Sequence, residues 1–597
     1  MVEFTTRPEI RGTFGVVTST HWIASAVGMA ILEKGGNAFD AAVATGFVLQ
    51  VVEPHLNGPA GDLPAIFHST RDGAEGVLCA QGPAPEAATI AAMKDAGIDQ
   101  QIPGSGLLAT VVPGAFDGWL LLLREYGTME LAEVLNPAIG YCEDGHPMLP
   151  AVAEAIAPLQ DFFEAEWPSS AELWCPGGTA PEAQSLHRNP DLARTYGRLR
   201  DAAKGDTREA RIDAARDEWR NGFVADAIGD YLKDAEAMDV TGRRNSSLLT
   251  RSDISGWQAG FEAPATIDYH GWTVCKTGPW GQGPVLLQAL QILRNFDIAS
   301  MDPFGTDFVH TVIEAIKLAY ADREAYYGDP DFHDIPMEKL LGADYGQTRA
   351  ALIGDAASTE QRPGVIEGFE AQAEGVNMRA AREIEVIDDP ATGEPTMAHL
   401  TNTKGDTVHL DIIDRWGNLV SSTPSGGWLQ SNPVVPGLGF ALNSRAQMFW
   451  LDEGLASSLK PGARPRTTLT PTIARHEDGA MLAFGTPGGD QQDQWQLIWF
   501  LRFVHHGLDL QQGIDAPLFH SAHFQSSFYP RRASPGEMMI EETIGADVID
   551  ALRARGHSVN VAQANTIGRL TAALRHADGQ VQAAATPRLM QAYAIGR

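Results

Sequence analysis

At about residue 406 the chain changes character. Residues 355–406 are rich in Glu, Ala, Gly and Asp and poor in large apolar side chains, which reads as a surface linker or mobile arm. Immediately beyond it, Val408 to Asp414 and Asn418 to Thr423 are β-type runs joined by Arg415-Trp416-Gly417, a hairpin signal. The junction reads Lys404-Gly405-Asp406-Thr407-Val408-His409. Were the peptide bond between Asp406 and Thr407 cut, Thr407 would carry a hydroxyl nucleophile and a free α-amine on one residue. The amine can then act as the general base. A Thr at a strand start is ordinary by itself, so the rest of the chain decides what it means.

A chain of 597 residues exceeds one compact core, which stops growing at roughly 250–300 residues, so several domains or a large layered fold are required. Gly15 to Thr18 is a short β-type run, and Trp22 to Glu33 is apolar at helical spacing, stopping at Gly35-Gly36. Asn37 sits where an N-cap belongs, so Ala38 to Val52 reads as a buried helix broken by Glu53-Pro54. Asn57 to Asp62 is a loop. Gly114 to Tyr126 and Leu131 to Cys142 read as helices on a core, and Arg194 to Lys233 as charged helices of a solvated surface. Thr306 to Tyr327 reads as an amphipathic helix, with Phe308, Val312, Ile313, Ile316 and Ala319 at the 3–4 spacing.

Charge excludes several classes. With 76 acidic against 44 basic side chains the net charge is −32, which argues against nucleic acid and against an anionic membrane surface as partners. A 44% hydrophobic content rules out a disordered acidic protein. Met1 to Thr20 lacks the pattern of a secretory signal, and no apolar run approaches the roughly 20 residues of a membrane span, so a cytoplasmic location is expected. Cys79, Cys142, Cys175 and Cys275 form no CxxC pair and suit neither zinc nor a disulfide framework. His505-His506 and His520-Ser521-Ala522-His523 lack metal-ligand spacing, and the Asn57–Asp62 loop lacks the P-loop Lys. No metal and no cofactor are expected.

Two further features bear on chemistry. Ala480 to Phe484 is a strand that runs through Gly485-Thr486-Pro487-Gly488-Gly489 into the helical run Asp490 to His505. A Gly-Gly turn at a helix start presents backbone N–H groups to a negative oxygen, the shape of an oxyanion hole. Hydroxyls and glycines also cluster in Thr423-Pro424-Ser425-Gly426-Gly427-Trp428 and in Pro465-Arg466-Thr467-Thr468-Leu469-Thr470-Pro471-Thr472. Such hydroxyls either cap their own turns or orient a nucleophile's proton.

Taken together these three features resemble the γ-glutamyltranspeptidase family of N-terminal-nucleophile hydrolases. The resemblance extends over nearly the whole chain through Gly35 to Ala42, Pro83 to Ala88, Val112-Pro113-Gly114, Leu249 to Asp253, Gly278 to Gly283, Glu314-Ala315 through Arg323, and Gly328-Asp329-Pro330. It implies an α+β fold, a four-layer αββα sandwich built by two interleaved subunits from one precursor. The large subunit would be 1–406 and the small catalytic subunit 407–597, pairing as a heterodimer. Thr407 would attack the Asp406 carbonyl to free itself, then take an acyl group from a small-molecule amide and pass it to water or an amine. Gly488 and Gly489 would hold the oxyanion, and Ser425 would support the new α-amine. Thr467 and Thr468, with Thr423, would contact substrate.

The departures from the family lie in the amino-acid clamp. Typical members bind the γ-glutamyl α-carboxylate with an Arg where this chain has Gln81, and an amide cannot replace a guanidinium fork. Met448 falls at or next to the Asp that meets the α-amine, and Gly427 replaces an Asn. Arg445 is either a relocated carboxylate contact or a structural arginine. The pattern is closer to the acylase-like and amidohydrolase-like branch, cephalosporin-acylase-like or oxamate-hydrolase-like, than to glutathione-cleaving members. A non-catalytic binding descendant of the fold is the alternative of another class.

Overall fold

The computed structural model describes residues 4–382, 407–588 and 592–597. Two seven-stranded antiparallel sheets form its centre. One runs, edge to edge, Ile10–Gly12, Val581–Ala585, Thr571–Arg575, Met481–Gly485, Thr472–His476, Trp272–Lys276 and Ala265–Tyr269. The other runs Tyr593–Gly596, Val16–Ser19, Leu410–Ile413, Leu419–Ser422, Leu63–Ser69, Ala74–Ala80 and Gly260–Glu262. Both sheets therefore combine strands from before and after residue 407.

Alternation along each strand sorts side chains into layers. Ile413, Leu419, Ile66 and Val77 of one sheet meet Cys275, Ile473, Met481, Ala483 and Ala573 of the other in a core between the sheets. On the outer face of the second sheet, Leu410, Ile412, Val420 and Leu78 pack against the helices Trp22–Glu33, Ala38–Val52, Ala115–Tyr126 and Leu131–Asp144. On the outer face of the first, Val274, Ala474, Leu482 and Phe484 pack against Pro284–Leu293, Thr306–Tyr326 and Gln492–His506. The four layers are helix, sheet, sheet, helix, as the α+β expectation has it.

The Ala38–Val52 helix starts where the sequence places it because Asn37 and Asp40 form a reciprocal capping box, worth about 1 kcal/mol. Two expectations need correction. The Thr306–Tyr326 helix is not amphipathic in the folded chain but buried almost throughout. Its Glu314, Lys317, Asp322, Arg323 and Glu324 are accommodated by ion pairs and hydrogen bonds. The charged helices Pro190–Ala202 and Arg208–Asn221 are half core, burying Tyr196, Leu199, Ile212 and Trp219 and the ion pair Arg216–Asp117. In the expected arm, the described part contains the helix Glu370–Ala380, which buries Ala373, Val376 and Arg379. Residues 383–406, with Asp406, lie outside the described residues.

Candidate active site

Thr407 stands just before the strand Leu410–Ile413, fully buried. Val408, Leu410 and Ile412 face the helices, whereas Ile413 faces the opposite sheet. Period-two alternation therefore turns Thr407, His409 and Asp411 toward the cleft between the sheets. Thr407 pairs antiparallel with Ser425, and Val408 N–H donates to Pro424 O at 3.1 Å. That makes Thr407 and Ser425 a pair without direct backbone bonds, the kind that brings side chains closer. Thr407 Oγ1 donates to Ser425 Oγ at 3.3 Å.

The next neighbour in this row is Asp62. Ser425 and Asp62 exchange both backbone hydrogen bonds, at 2.8 and 3.1 Å. The loop lies against Ser425 this closely because Gly61 is bare: a Cβ there would stand 2.0 Å from Ser425 O. Gly426 and Gly427, at φ 76° and 68°, adopt the left-handed turn that follows.

Below Thr407 is a polar chain. His409 Nδ1 meets Thr423 Oγ1 at 2.8 Å and Nε2 meets Asp411 Oδ1 at 3.0 Å. Ser421 Oγ donates to Asp411 Oδ1 at 2.8 Å and Thr571 Oγ1 to Oδ2 at 2.6 Å, linking the two sheets. The ring lies on Gly485, where a Cβ would be 2.2 Å from it. Thr423, expected among substrate contacts, is thus engaged by His409.

Gly488 (φ 132°) and Gly489 (φ 54°) form the turn between Met481–Gly485 and the helix Gln492–His506. The turn is tied from outside. Gln282 Nε2 donates to Gly489 O at 3.2 Å, and Arg323 Nη1 donates to Gln282 Oε1 at 2.8 Å and also to Asp490. Lys276, fully buried, pairs with Asp493 in the first turn of the helix at 2.9 Å. Burial pushes the Asp493 carboxyl up to about 6 even though Lys276 opposes it.

The expected substrate contacts divide in two. Thr467 Oγ1 approaches Asp62 Oδ2 at 3.4 Å, and Arg445 Nε and Nη2 each lie 3.0 Å from Asp62 Oδ1. Burial pushes the Asp62 carboxyl up, and Arg445 beside it works against that rise. Thr468 and Gln81 are fully buried with no hydrogen-bond partner for the hydroxyl or for either amide atom. The register Leu63↔Ala80 puts Gln81 opposite Asp62. Met448 instead packs with Trp428, Val240, Phe528 and Tyr529 in an apolar cluster. Asp62 escaped the sequence reading because it ends a loop considered only as a nucleotide site; the Gly61-Asp62 step against a strand start was the available signal.

Elsewhere the four cysteines are buried and free. His310, Glu314 and His557 come close enough to ligate a cation, but Glu314 already holds Lys317 at 2.7 Å and Arg362 at 2.8 Å. His523 serves structure: Nε2 donates to Glu360 O at 3.2 Å and Nδ1 accepts from Gly536 N–H at 2.9 Å. No helix among the described residues is long and apolar enough to cross a membrane.

Two antiparallel sheets between helical layers, with a Thr leading into a central strand and facing the cleft, define an N-terminal-nucleophile hydrolase fold. The chain belongs to the gamma-glutamyltranspeptidase family, whose profile matches residues 24–596. It is similar to LmbA2991, with 51% identity over 100% of both chains and a TM-score of 0.91. Cephalosporin acylase from Bacillus halodurans is 28% identical over 100% of this chain and 98% of that one, with a TM-score of 0.82. The glutathione hydrolase proenzyme of Bacillus subtilis (strain 168) is 28% identical over 92% of this chain and 85% of its own length.

Proposed function

We propose that the chain is a self-processing threonine amidohydrolase of the acylase kind. In this reading Thr407 Oγ1 adds to the Asp406 carbonyl and the peptide nitrogen leaves as the α-amine of Thr407. Water then splits the ester, giving subunits 1–406 and 407–597 that stay paired. The freed amine takes the proton from Thr407 Oγ1 as the hydroxyl attacks a substrate amide. Gly488 and Gly489 N–H groups receive the oxyanion, the leaving amine is protonated, and water or an acceptor amine releases the acyl group.

The observation that carries the reading is the buried Thr407–Ser425 hydroxyl pair at 3.3 Å on the cleft face of a central strand. The acylase branch is favoured over a γ-glutamyl enzyme because Gln81 and Met448 place no charge where the family's amino-acid clamp stands. The test is a panel of acyl amides and γ-glutamyl anilide incubated with wild type and Thr407→Ala. Acyl-amide turnover that vanishes in Thr407→Ala supports the proposal. Turnover that persists in the variant, or its absence on every amide, contradicts it.

A further inference from the structure

Away from the cleft, positive charge is buried in excess. Arg323, Arg379, Arg466 and Arg531 gather behind the Arg445–Met448 turn and the Trp450 ring, all of them buried. Two carboxylates face them. Glu324 Oε1 holds Arg323 at 2.9 Å and Arg466 at 2.7 Å, and Glu324 O accepts from Arg379 Nη2 at 3.1 Å. Asp490 pairs with Arg323 and accepts from Ser527. The nearby Asp452 is taken by Arg382. Four guanidinium groups against two carboxylates leave positive charge uncompensated out of water, an arrangement that is costly unless something balances it.

Arg531 is the least supported of the four. Its Nη1 donates to Met448 O at 3.2 Å and to Phe449 O at 2.9 Å, and its guanidinium lies 3.7 Å from the centre of the Trp450 ring. These contacts fix the plane of the group. Its Nε and Nη2 have no hydrogen-bond partner, although the residue is only 1% exposed. That edge is the two-donor fork that matches the two oxygens of a carboxylate. Among the described residues no carboxylate pairs with it. Burial pushes the Arg531 guanidinium down to about 9, Glu324 opposes the fall and Arg466 and Arg323 add to it, so the group is still charged at neutral pH. Its backbone is a further sign. At φ 55° Arg531 occupies the left-handed region, uncommon outside glycine and found where the surroundings impose it, often at ligand sites.

We infer that Arg531 is the centre of a buried anion site that takes a small monoanion with two coplanar oxygens, a carboxylate such as formate or an inorganic anion such as nitrate. The ligand completes the Nε–Nη2 fork and offsets part of the charge shared with Arg466 and Arg379. It also strengthens a joint. The Trp450 ring is faced by Arg531 and by Arg379 of the Glu370–Ala380 helix, whose guanidinium lies 5.6 Å from its centre. The anion therefore links that helix to the turn that carries Arg445. The site makes no use of Thr407 and stands whether or not Thr407 is the nucleophile.

The test follows the thermal midpoint of the purified wild-type protein as formate or nitrate replaces the bulky sulfonate MES at constant ionic strength. A ligand of so few heavy atoms binds at best at about the millimolar level, so concentrations from about 3 to about 300 mM cover the range. The wild-type midpoint should rise by an equal step for each tenfold increase above saturation. The anion that acts at the lower concentration tells whether the carboxylate or the inorganic source fits better. Arg531→Met should lose the response to both anions, whereas a merely structural arginine would lower the midpoint equally in every salt. Arg531→Met can fail to fold, so Arg531→Lys, which keeps the charge without the fork, is measured beside it. Its response should need about tenfold more anion or more. A wild-type midpoint that ignores both anions would mean that water alone fills the fork, and overturns the inference. A response that survives unchanged in either variant overturns it as well.

Discussion

Arg323 and Asp490 meet inside the protein, one near the end of the Thr306–Tyr326 helix and the other directly after Gly489. Asp490 also accepts from Ser527 N–H at 2.8 Å and Ser527 Oγ at 2.7 Å, so the Gly488-Gly489 turn is fixed from behind. Breaking a buried pair from one side leaves an uncompensated charge and costs about 3–5 kcal/mol. Arg323→Met should lower thermal stability accordingly. In the protein that remains folded, kcat should fall while KM changes little, because the turn is expected to matter in the transition state.

Ser425→Ala removes the hydroxyl that accepts from Thr407 Oγ1. Amide turnover should drop roughly tenfold to a hundredfold. Processing should slow in parallel, which a time course on denaturing gels would show. Unchanged rates of both would mean that Ser425 only fills space.

Gly488→Ala should disable the turn proposed to hold the oxyanion. At φ 132° an L side chain is strained, and its Cβ would stand 2.3 Å from the Trp495 ring. The expected loss in kcat is about 10²–10³, read at saturating substrate against wild type.

His523 predicts an acid sensitivity. Burial and the nearby Lys317 lower its pKa to about 3, and Nδ1 accepts from Gly536 N–H, a bond that protonation destroys. The unfolded chain, with an ordinary histidine near 6.5, binds the proton more readily. This contribution is complete above about pH 6.5 and is lost as pH falls toward 3, up to about 2 kcal/mol by pH 5. Thermal midpoints at pH 8 and pH 5 should differ more in wild type than in His523→Gln. An equal difference in both would remove His523 as a cause.

Local signals read well. The Trp22–Glu33 and Ala38–Val52 helices fall where apolar spacing and the Asn37 cap place them. The hairpin after Thr407 appears as Leu410–Ile413 paired with Leu419–Ser422. What stayed hidden depends on partners distant in sequence. Lys317 and Arg323 look like a solvated face until the Ser358 carbonyl and Asp490 are brought to them. Arg445 was legible as a candidate, but its fixing by Asp62, 383 positions away, needs the sheet. The Glu370–Ala380 helix was obscured by an acidic, glycine-containing composition, although Ala373 and Val376 lie on one helical face.

The central claim is that Thr407 becomes the first residue of a separate catalytic chain. Intact-mass analysis with N-terminal sequencing of the purified protein tests it most directly. The account predicts two fragments, the smaller of 597 − 406 = 191 residues beginning with Thr407, and one full-length species in Thr407→Ala. A wild-type chain that stays full length, or one cut at another bond, would contradict it.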